Sequence, residues 1–295
     1  MHGVPTMTIE ILPLAGTVGA EIHGVDVANL DDATFTVVNQ ALLDHGVIVL
    51  RNQDITPAQQ IAFAKRWNGL HTHPYLKGLA EHPELIEIVK EPDEVGGFGA
   101  HWHTDQIFTP APAMATMLYA KVVPAYGGDT LFASMPTAYE ALSDGMKAML
   151  RKVRTLSQYN KTAKRSGKMS GKVTDLDKPS EPAVHPIIRV HPETGKPGLY
   201  INEMENLRHL DGMTVEESTP IINYLIRHAT RPEFTCRVRW EVGSLGVWDN
   251  RQVMHMALND YPGQRRVMHR LTINGDVPFG LDEAEQNHEK CAVNA

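Results

Sequence analysis

Two histidines and an aspartate occur within five positions of the segment HWHTDQIF, residues 101–108. Side chains two residues apart on a β-strand point to the same face. His103 and Asp105 would therefore offer one nitrogen and one oxygen ligand to the same cation, and His101 is an alternative ligand on that face. Because His-x-Asp is short and occurs by chance in many chains, a metal site needs support from other residues.

A third ligand would have to come from a distant strand, and the segment NRQVMHMAL supplies His255. Two histidines and one carboxylate with three open positions form the facial triad of non-haem Fe(II) enzymes that activate O2. The open positions allow a cosubstrate and O2 to bind together. These residue types suit an iron site, and ordinary surface or hydrogen-bonded core residues are the alternative interpretation.

Two arginines downstream, Arg266 and Arg270, lie four residues apart and would share a strand face with Met268 and Thr272. Buried guanidinium groups are costly unless anions meet them, and arginine binds carboxylates as a planar fork. A solvated edge strand is the alternative interpretation. The apolar residues on the opposite face favour a central strand that presents both arginines to bound anions.

Four motifs follow one another along the chain: WHTD at 102–105, GGDT at 127–130, WDNRQVMH at 248–255 and DYPGQRRVMHR at 260–270. Together they resemble the taurine dioxygenase and aryloxyalkanoate dioxygenase family, and the resemblance extends from about residue 9 to 279. It implies a double-stranded β-helix (jelly-roll) core. It also implies Fe(II), 2-oxoglutarate as cosubstrate, O2, and ascorbate as a stimulant.

The resemblance also assigns roles to particular positions. It implies three iron ligands, which are His103, Asp105 and His255. It leaves His101 outside the metal site. Thr130 and Arg266 would bind the 2-oxoglutarate carboxylate that is remote from the iron.

Substrate binding is implied for Arg270 and for His73 in the segment HTHP, at positions that hold an anionic group in the family. The taurine enzymes carry an asparagine where this chain has Gly99. They carry a tyrosine where it has Leu76, with Tyr75 one position earlier. We therefore expect hydroxylation of a small anionic substrate: a sulfonate such as taurine, an alkyl sulfate or an aryloxyalkanoate. Succinate and CO2 would be released, and the hydroxylated product would break down.

The rest of the chain predicts a mainly β protein with flanking helices. Capping signals and periodicity predict helices over 33–44, 56–67 and 138–153 and a helix that opens at Thr214. Strands are predicted at GVIVLRNQ, over 234–240 where buried residues alternate, and through most of the C-terminal half. We expect a single domain over 1–295, with a lid loop at 157–184 and a tail at 281–295.

Composition and charge restrict the partners. A formal charge of −7 argues against nucleic acid, and no apolar run reaches the roughly 20 residues of a membrane helix. The first residues lack a signal-peptide pattern and the two cysteines form no framework, so we expect a cytoplasmic protein. The partners would be the anionic substrate and further copies of the same chain.

Competing functions leave sequence signs that this chain lacks. A zinc hydrolase would carry H-E-x-x-H, and an iron halogenase would lack the Asp105 carboxylate. The segment GGFGAHW has Trp102 where a dinucleotide-binding motif has its third glycine. The alternative from another class is a catalytically inactive β-helix that binds a small anion.

Overall fold

The computed structural model describes residues 8–72, 76–159, 181–203 and 207–286. Its strands are β1 (Glu10–Pro13), β2 (Ala20–His23), β3 (Val47–Leu50), β4 (Ile86–Lys90), β5 (Ala115–Val122), β6 (Thr130–Ser134), β7 (Arg154–Ser157), β8 (Ala183–Pro186), β9 (Ile188–Val190), β10 (Pro197–Leu199), β11 (Leu207–Leu210), β12 (Thr235–Val238), β13 (Leu245–Asp249), β14 (Val253–Ala257) and β15 (Arg266–Ile273). Its helices are α1 (Asp32–His45), α2 (Pro57–Ala64), α3 (Met135–Glu140), α4 (Asp144–Leu150) and α5 (Val215–Ala229). Residues 27–29 and 232–234 form 3-10 turns, and residues 281–286 are helical.

Two sheets form the centre of the molecule. Seven strands pair in the order β1-β2-β3-β13-β5-β15-β4, and a second sheet has the order β12-β6-β14. Val49 and Leu118 of the first sheet share one buried apolar cluster with Phe132, Val238 and Val253 of the second. The sheets therefore pack face to face around a common core, which confirms the predicted double-stranded β-helix.

The strand that carries the two arginines is central. β15 lies between β5 and β4, and all eight of its residues are buried. Met268 packs in the cluster between the two sheets, whereas Leu271 and Ile273 pack on the opposite side against the helices. The predicted division of faces is therefore correct, and the solvated-edge interpretation is wrong.

Local capping chemistry determines where the outer helices begin. Asp31 accepts a hydrogen bond from Thr34 N at the start of α1, and Thr56 and Gln59 form a complete capping box at the start of α2. Both helices begin as predicted, although α2 ends at Ala64 rather than at Trp67. They cover the outer face of the seven-stranded sheet.

The helix predicted over 138–153 is wrong. The chain instead forms α3 and α4, separated by a short break. Ser134 caps α3 by accepting from Thr137 N, and Ser143 caps α4 by accepting from Met146 N. The serine at the start of a new helix accepts hydrogen bonds from the first free N–H groups of that helix. The preceding helix therefore ends before this serine and does not continue through it. The two short helices and α5 cover the outer side of the smaller sheet.

The predicted lid and tail overlap regular structure at their ends. Ser157 is the last residue of β7 and Ala183 the first of β8, while residues 160–180 lie outside the described part of the chain. The segment after Gly280 starts with helical residues, and Asp282 lies 2.7 Å from Arg151. The lid and the single-domain organisation stay predictions. No helix within the described ranges has the length and hydropathy to cross a bilayer.

Replacing Thr56 with alanine should lower the free energy of unfolding by about 1 kcal/mol, because the capping box of α2 loses its side-chain acceptor. Thr36→Ala is the matched control, since its exposed hydroxyl bonds only to Asp32 O inside α1. That change should alter the stability by less than about 0.5 kcal/mol. Denaturant unfolding followed by circular dichroism checks both, and equal losses would contradict the capping argument.

Candidate metal centre and adjoining anion site

Three buried side chains, two from one short segment and one from a distant strand, meet in the core. One ligand atom each of His103, Asp105 and His255 lies within 4.8 Å of the other two. Nε2 of His103 is 3.8 Å from Asp105 Oδ1, and Nε2 of His255 is 3.9 Å from Asp105 Oδ2. One nitrogen or oxygen atom from each of the three residues therefore faces a common centre, as in a three-ligand metal site. His101, the rival ligand, is not part of this group.

The segment with His103 is not the regular strand that its spacing suggested. It forms an isolated antiparallel bridge to His255, in which the two backbones exchange hydrogen bonds of 3.0 and 2.8 Å. The next backbone groups bond to a side chain instead, because Asn202 accepts from Thr104 N at 2.8 Å and donates to Thr104 O at 3.2 Å. A side-chain amide thus replaces the strand ladder directly after the first histidine.

Both imidazoles are neutral. Burial lowers the pKa of His103 to about 4 and holds the pKa of His255 well below its ordinary value. Nδ1 of His103 lies 2.7 Å from the His101 carbonyl, so this nitrogen carries the proton and donates it there. The Nε2 lone pair then faces the other two ligands, which is the form that binds a metal. The His255 ring packs 4.7 Å from the ring of Trp248.

The carboxylate between them is ionised. Burial alone raises the pKa of Asp105, but the Arg270 guanidinium and the hydrogen bond from Thr116 hold it well below its usual range. Arg270 Nη2 lies 2.6 Å from Asp105 Oδ1 as an ion pair, although the angle between the groups is too poor for a hydrogen bond. The site therefore combines two neutral nitrogen ligands with one anionic oxygen ligand.

A single cavity adjoins these ligands and includes the other predicted site residues that the structure describes. Its lining is formed by Ile88, Phe98, Gly99, His103, Asp105, Leu118, Thr130, Trp248, His255, Ala257, Arg266 and Arg270. Thr130 and Arg266 thus share a cavity with the three ligands. His73 lies outside the described residues.

Arg266 offers a free hydrogen-bonding edge in this cavity. Its Nε and Nη2 are buried without a hydrogen-bond partner in the described structure. These two nitrogens form one edge of the guanidinium fork, which matches the two oxygens of a carboxylate. An unpartnered buried donor costs free energy, so the edge fits a ligand that carries a carboxylate.

Trp240 orients the hydroxyl of Thr130, and the sequence did not indicate this role. Its indole Nε1 donates to Thr130 Oγ1 at 2.9 Å, and both residues are buried. Because the threonine oxygen accepts from the indole, its own hydrogen is directed elsewhere. In the sequence, Trp240 was visible only as a buried residue of an alternating strand.

The position where the taurine enzymes carry an asparagine is sterically restricted here. Gly99 has φ +73°, and a Cβ at this residue would lie 3.1 Å from Cε1 of His103. Next to it, Phe98 packs against the Arg270 guanidinium, with 5.7 Å between the ring centroid and Cζ. The pocket therefore places an aromatic surface on the cation, and a side chain at residue 99 would crowd the imidazole.

The family profile described as taurine catabolism dioxygenase TauD, TfdA family matches residues 10–272. The chain belongs to this family. A relative described as an alpha-ketoglutarate-dependent sulfate ester dioxygenase from Pseudomonas putida is 32% identical over 285 residues, which cover 94% of this chain and 93% of that protein. The family resemblance inferred from the four motifs is confirmed.

Solved structures of relatives have the same fold. The crystal structure of a taurine dioxygenase from Burkholderia xenovorans superposes with a TM-score of 0.77 at 34% identity, covering 94% of this chain and 92% of that one. The crystal structure of AAD-2, in complex with Mn(II) and N-oxalylglycine, gives a TM-score of 0.74 at 28% identity, covering 92% and 99%. The TauD/TfdA assignment therefore rests on both sequence and fold.

Thr130 is predicted to bind 2-oxoglutarate. Replacing Trp240 with phenylalanine should therefore weaken 2-oxoglutarate binding by about fivefold to tenfold, because Thr130 loses the donor that orients it. Trp67→Phe is the matched control, since it also removes an indole hydrogen bond, to Asn39 at 2.7 Å, in the helical layer. Calorimetric titration of the Mn(II)-loaded protein with 2-oxoglutarate measures both. An unchanged affinity in the Trp240 variant would contradict the role given to the indole.

Proposed function

We propose that this protein hydroxylates a small organic anion, using iron held by His103, Asp105 and His255. It is an Fe(II)- and 2-oxoglutarate-dependent dioxygenase. The observation that carries the proposal is one cavity that combines two buried neutral imidazoles, one buried ionised carboxylate and the unpaired Nε–Nη2 edge of Arg266. Borderline nitrogen and hard oxygen donors of this kind suit Fe(II), so the residues present fit the metal.

The cosubstrate and the substrate would be held by different cations. Arg266 and Thr130 would hold the remote carboxylate of 2-oxoglutarate, and Arg270 with His73 would hold the anionic group of the substrate. The metal, when bound, would supply the chemistry by which O2 converts 2-oxoglutarate to succinate and CO2, with one oxygen atom of O2 entering succinate and the other inserted into a C–H bond of the substrate. The protein contributes placement, since the substrate anion determines which carbon faces the metal. Burial of the site keeps water away from the reaction.

The hydroxylated product would break down by itself. Where the hydroxylated carbon carries a sulfate ester, a sulfonate or an aryloxy group, the new hydroxyl becomes a carbonyl and the C–O or C–S bond breaks. Sulfate, sulfite or a phenol leaves, and the hydroxyl proton is lost to solvent. The names of the sulfate ester dioxygenase and of the taurine dioxygenase support the sulfate ester and sulfonate classes. The complex of AAD-2 with Mn(II) and N-oxalylglycine supports the binding of a divalent metal and of a 2-oxo acid.

The described lining of the cavity favours an apolar substrate tail. Ile88, Leu118 and Ala257 are apolar, and Phe98 adds an aromatic face. The one carboxylate in this lining is Asp105, which is one of the three proposed metal ligands. An ammonium group would therefore be buried without an anionic partner, and this costs free energy. We propose alkyl sulfates, alkylsulfonates and aryloxyalkanoates as the main substrate class, with taurine as a poorer member.

A turnover assay distinguishes an active dioxygenase from a catalytically inactive anion-binding protein. The protein with Fe(II), ascorbate and 2-oxoglutarate labelled at C1 should release CO2 slowly without substrate and faster with a substrate of the proposed class. His103→Ala should reduce the release to the level without protein, since the metal loses one of three ligands. If the wild type bound 2-oxoglutarate but released no CO2, the inactive β-helix would be the correct interpretation.

Propane-1-sulfonate and taurine form a matched pair, because a methyl group in one replaces the ammonium group in the other. We expect kcat/KM for propane-1-sulfonate to exceed that for taurine by about tenfold or more, since the ammonium group finds no anion in the described lining. Succinate yield and sulfite release measure both reactions. Equal values, or a preference for taurine, would contradict the proposed substrate class.

We also propose that the protein is cytoplasmic, that it assembles with further copies of the same chain and that it does not bind nucleic acid. The net charge of −7 supports the last point. Burial raises the pKa of Cys236 to about 12, so this thiol is an unreactive core residue and is compatible with a reducing compartment. Light scattering of the purified chain tests the assembly.

A further inference from the structure

The carboxylate of Asp105 is held by a hydroxyl group from a neighbouring strand. Thr116, on β5, donates to Asp105 Oδ2 at 2.6 Å. Both side chains are buried, and Thr116 is fully inaccessible to solvent. A short hydrogen bond to an ionised oxygen is among the stronger ones that a neutral donor can make. One oxygen of this carboxylate is therefore tied to the sheet.

A second residue determines the direction of that hydroxyl. Asn250 Nδ2 donates to Thr116 Oγ1 at 3.1 Å, and its Oδ1 accepts from the backbone N of Asp105 at 3.3 Å. Because the threonine oxygen accepts from the amide, its hydrogen is left to point at the carboxylate. Amide, hydroxyl and carboxylate thus form one directed chain of hydrogen bonds that returns to the aspartate.

The turn that carries Asn250 is itself fixed. It connects β13 with β14, the strand of His255, and Asn250 N donates to Met114 O at 2.8 Å. Asp249 beside it accepts two hydrogen bonds from the Arg251 side chain, at 2.9 and 2.7 Å. His191 Nδ1 accepts two backbone N–H groups, so its Nε2 carries the proton and donates to Asp249 at 3.0 Å. A rigid turn therefore links Asp105 to the strand of the second histidine.

We propose that Thr116 and Asn250 are positioning residues that hold Asp105 so that it gives a metal ion only one oxygen. This inference rests on the proposed function, because it assumes that the three ligands bind a metal. A carboxylate that turned to chelate the ion with both oxygens would occupy one of the three positions needed for the cosubstrate and O2. Neither residue is one of the three proposed ligands. They act through the orientation of Asp105, as hydrogen-bond partners of metal ligands do.

The chain offers a matched control on the neighbouring strand. Thr272, on β15, is paired with Thr116 across the sheet and is also buried. Its Oγ1 has no hydrogen-bond partner in the described structure. Thr116→Val and Thr272→Val therefore make the same isosteric change in the same sheet, and only the first removes a bond to Asp105.

Binding of Mn(II) to the metal-free protein, followed by electron paramagnetic resonance, tests the proposal without turnover. Thr116→Val should weaken binding by roughly 10- to 100-fold, the loss typical when a partner of a metal ligand is removed. Thr272→Val should bind within about twofold of wild type, and Thr116→Ser, which keeps the hydroxyl, should restore most of the affinity. Asn250→Ala keeps Thr116 in place and should cause a smaller loss. Melting temperatures of the metal-free variants separate these effects from instability.

Steady-state kinetics give a second readout. Thr116→Val should release CO2 from 2-oxoglutarate with a smaller share coupled to substrate hydroxylation, whereas Thr272→Val should keep the wild-type share. Equal Mn(II) affinities in wild type and Thr116→Val, equal losses in both valine variants, or no rescue by serine would each overturn the positioning role. Failure of the wild type to bind Mn(II) would overturn the proposed function instead, and this inference with it.

Discussion

An ionised carboxylate deep in the core is the constraint on which the rest of this structure depends. Burial of Asp105 opposes its charge, and the molecule offsets this with the Arg270 guanidinium and with the hydroxyl of Thr116. The same burial keeps His103 and His255 neutral. A metal site needs these two protonation states together, and one low-dielectric environment provides both.

The double-stranded β-helix brings these groups together because its two sheets face one another. β15 directs Arg266 and Arg270 into the cavity from the large sheet, and β6 with β14 brings Thr130 and His255 from the small one. Helices on the outer faces exclude solvent from both sheets. The cavity is therefore lined from both sides by residues on rigid elements, which suits a site that must orient two anions.

Sequence patterns predicted the elements where local chemistry decides the structure. The caps at Asp31 and Thr56 are short-range features, and so is the division of β15 into a face with the two arginines and an apolar face. The patterns failed where a local signal competed with periodicity, as at Ser143, which begins a new helix inside the predicted one. They also failed after His103, where the side chain of Asn202 replaces a strand partner from 98 positions away.

The sequence by itself determined which residue types carry the chemistry: two histidines, an aspartate and two arginines in motifs that a family resemblance could order. Only the tertiary structure decided which residues support them. Thr116 is 11 residues from Asp105, Asn250 is 134 residues from Thr116, and Trp240 is 110 residues from Thr130. In the sequence, a threonine or tryptophan of a buried strand cannot be distinguished from an ordinary core residue, because its hydrogen-bond partner depends on sheet register and on long-range packing. Those are properties of the folded chain that no local pattern encodes.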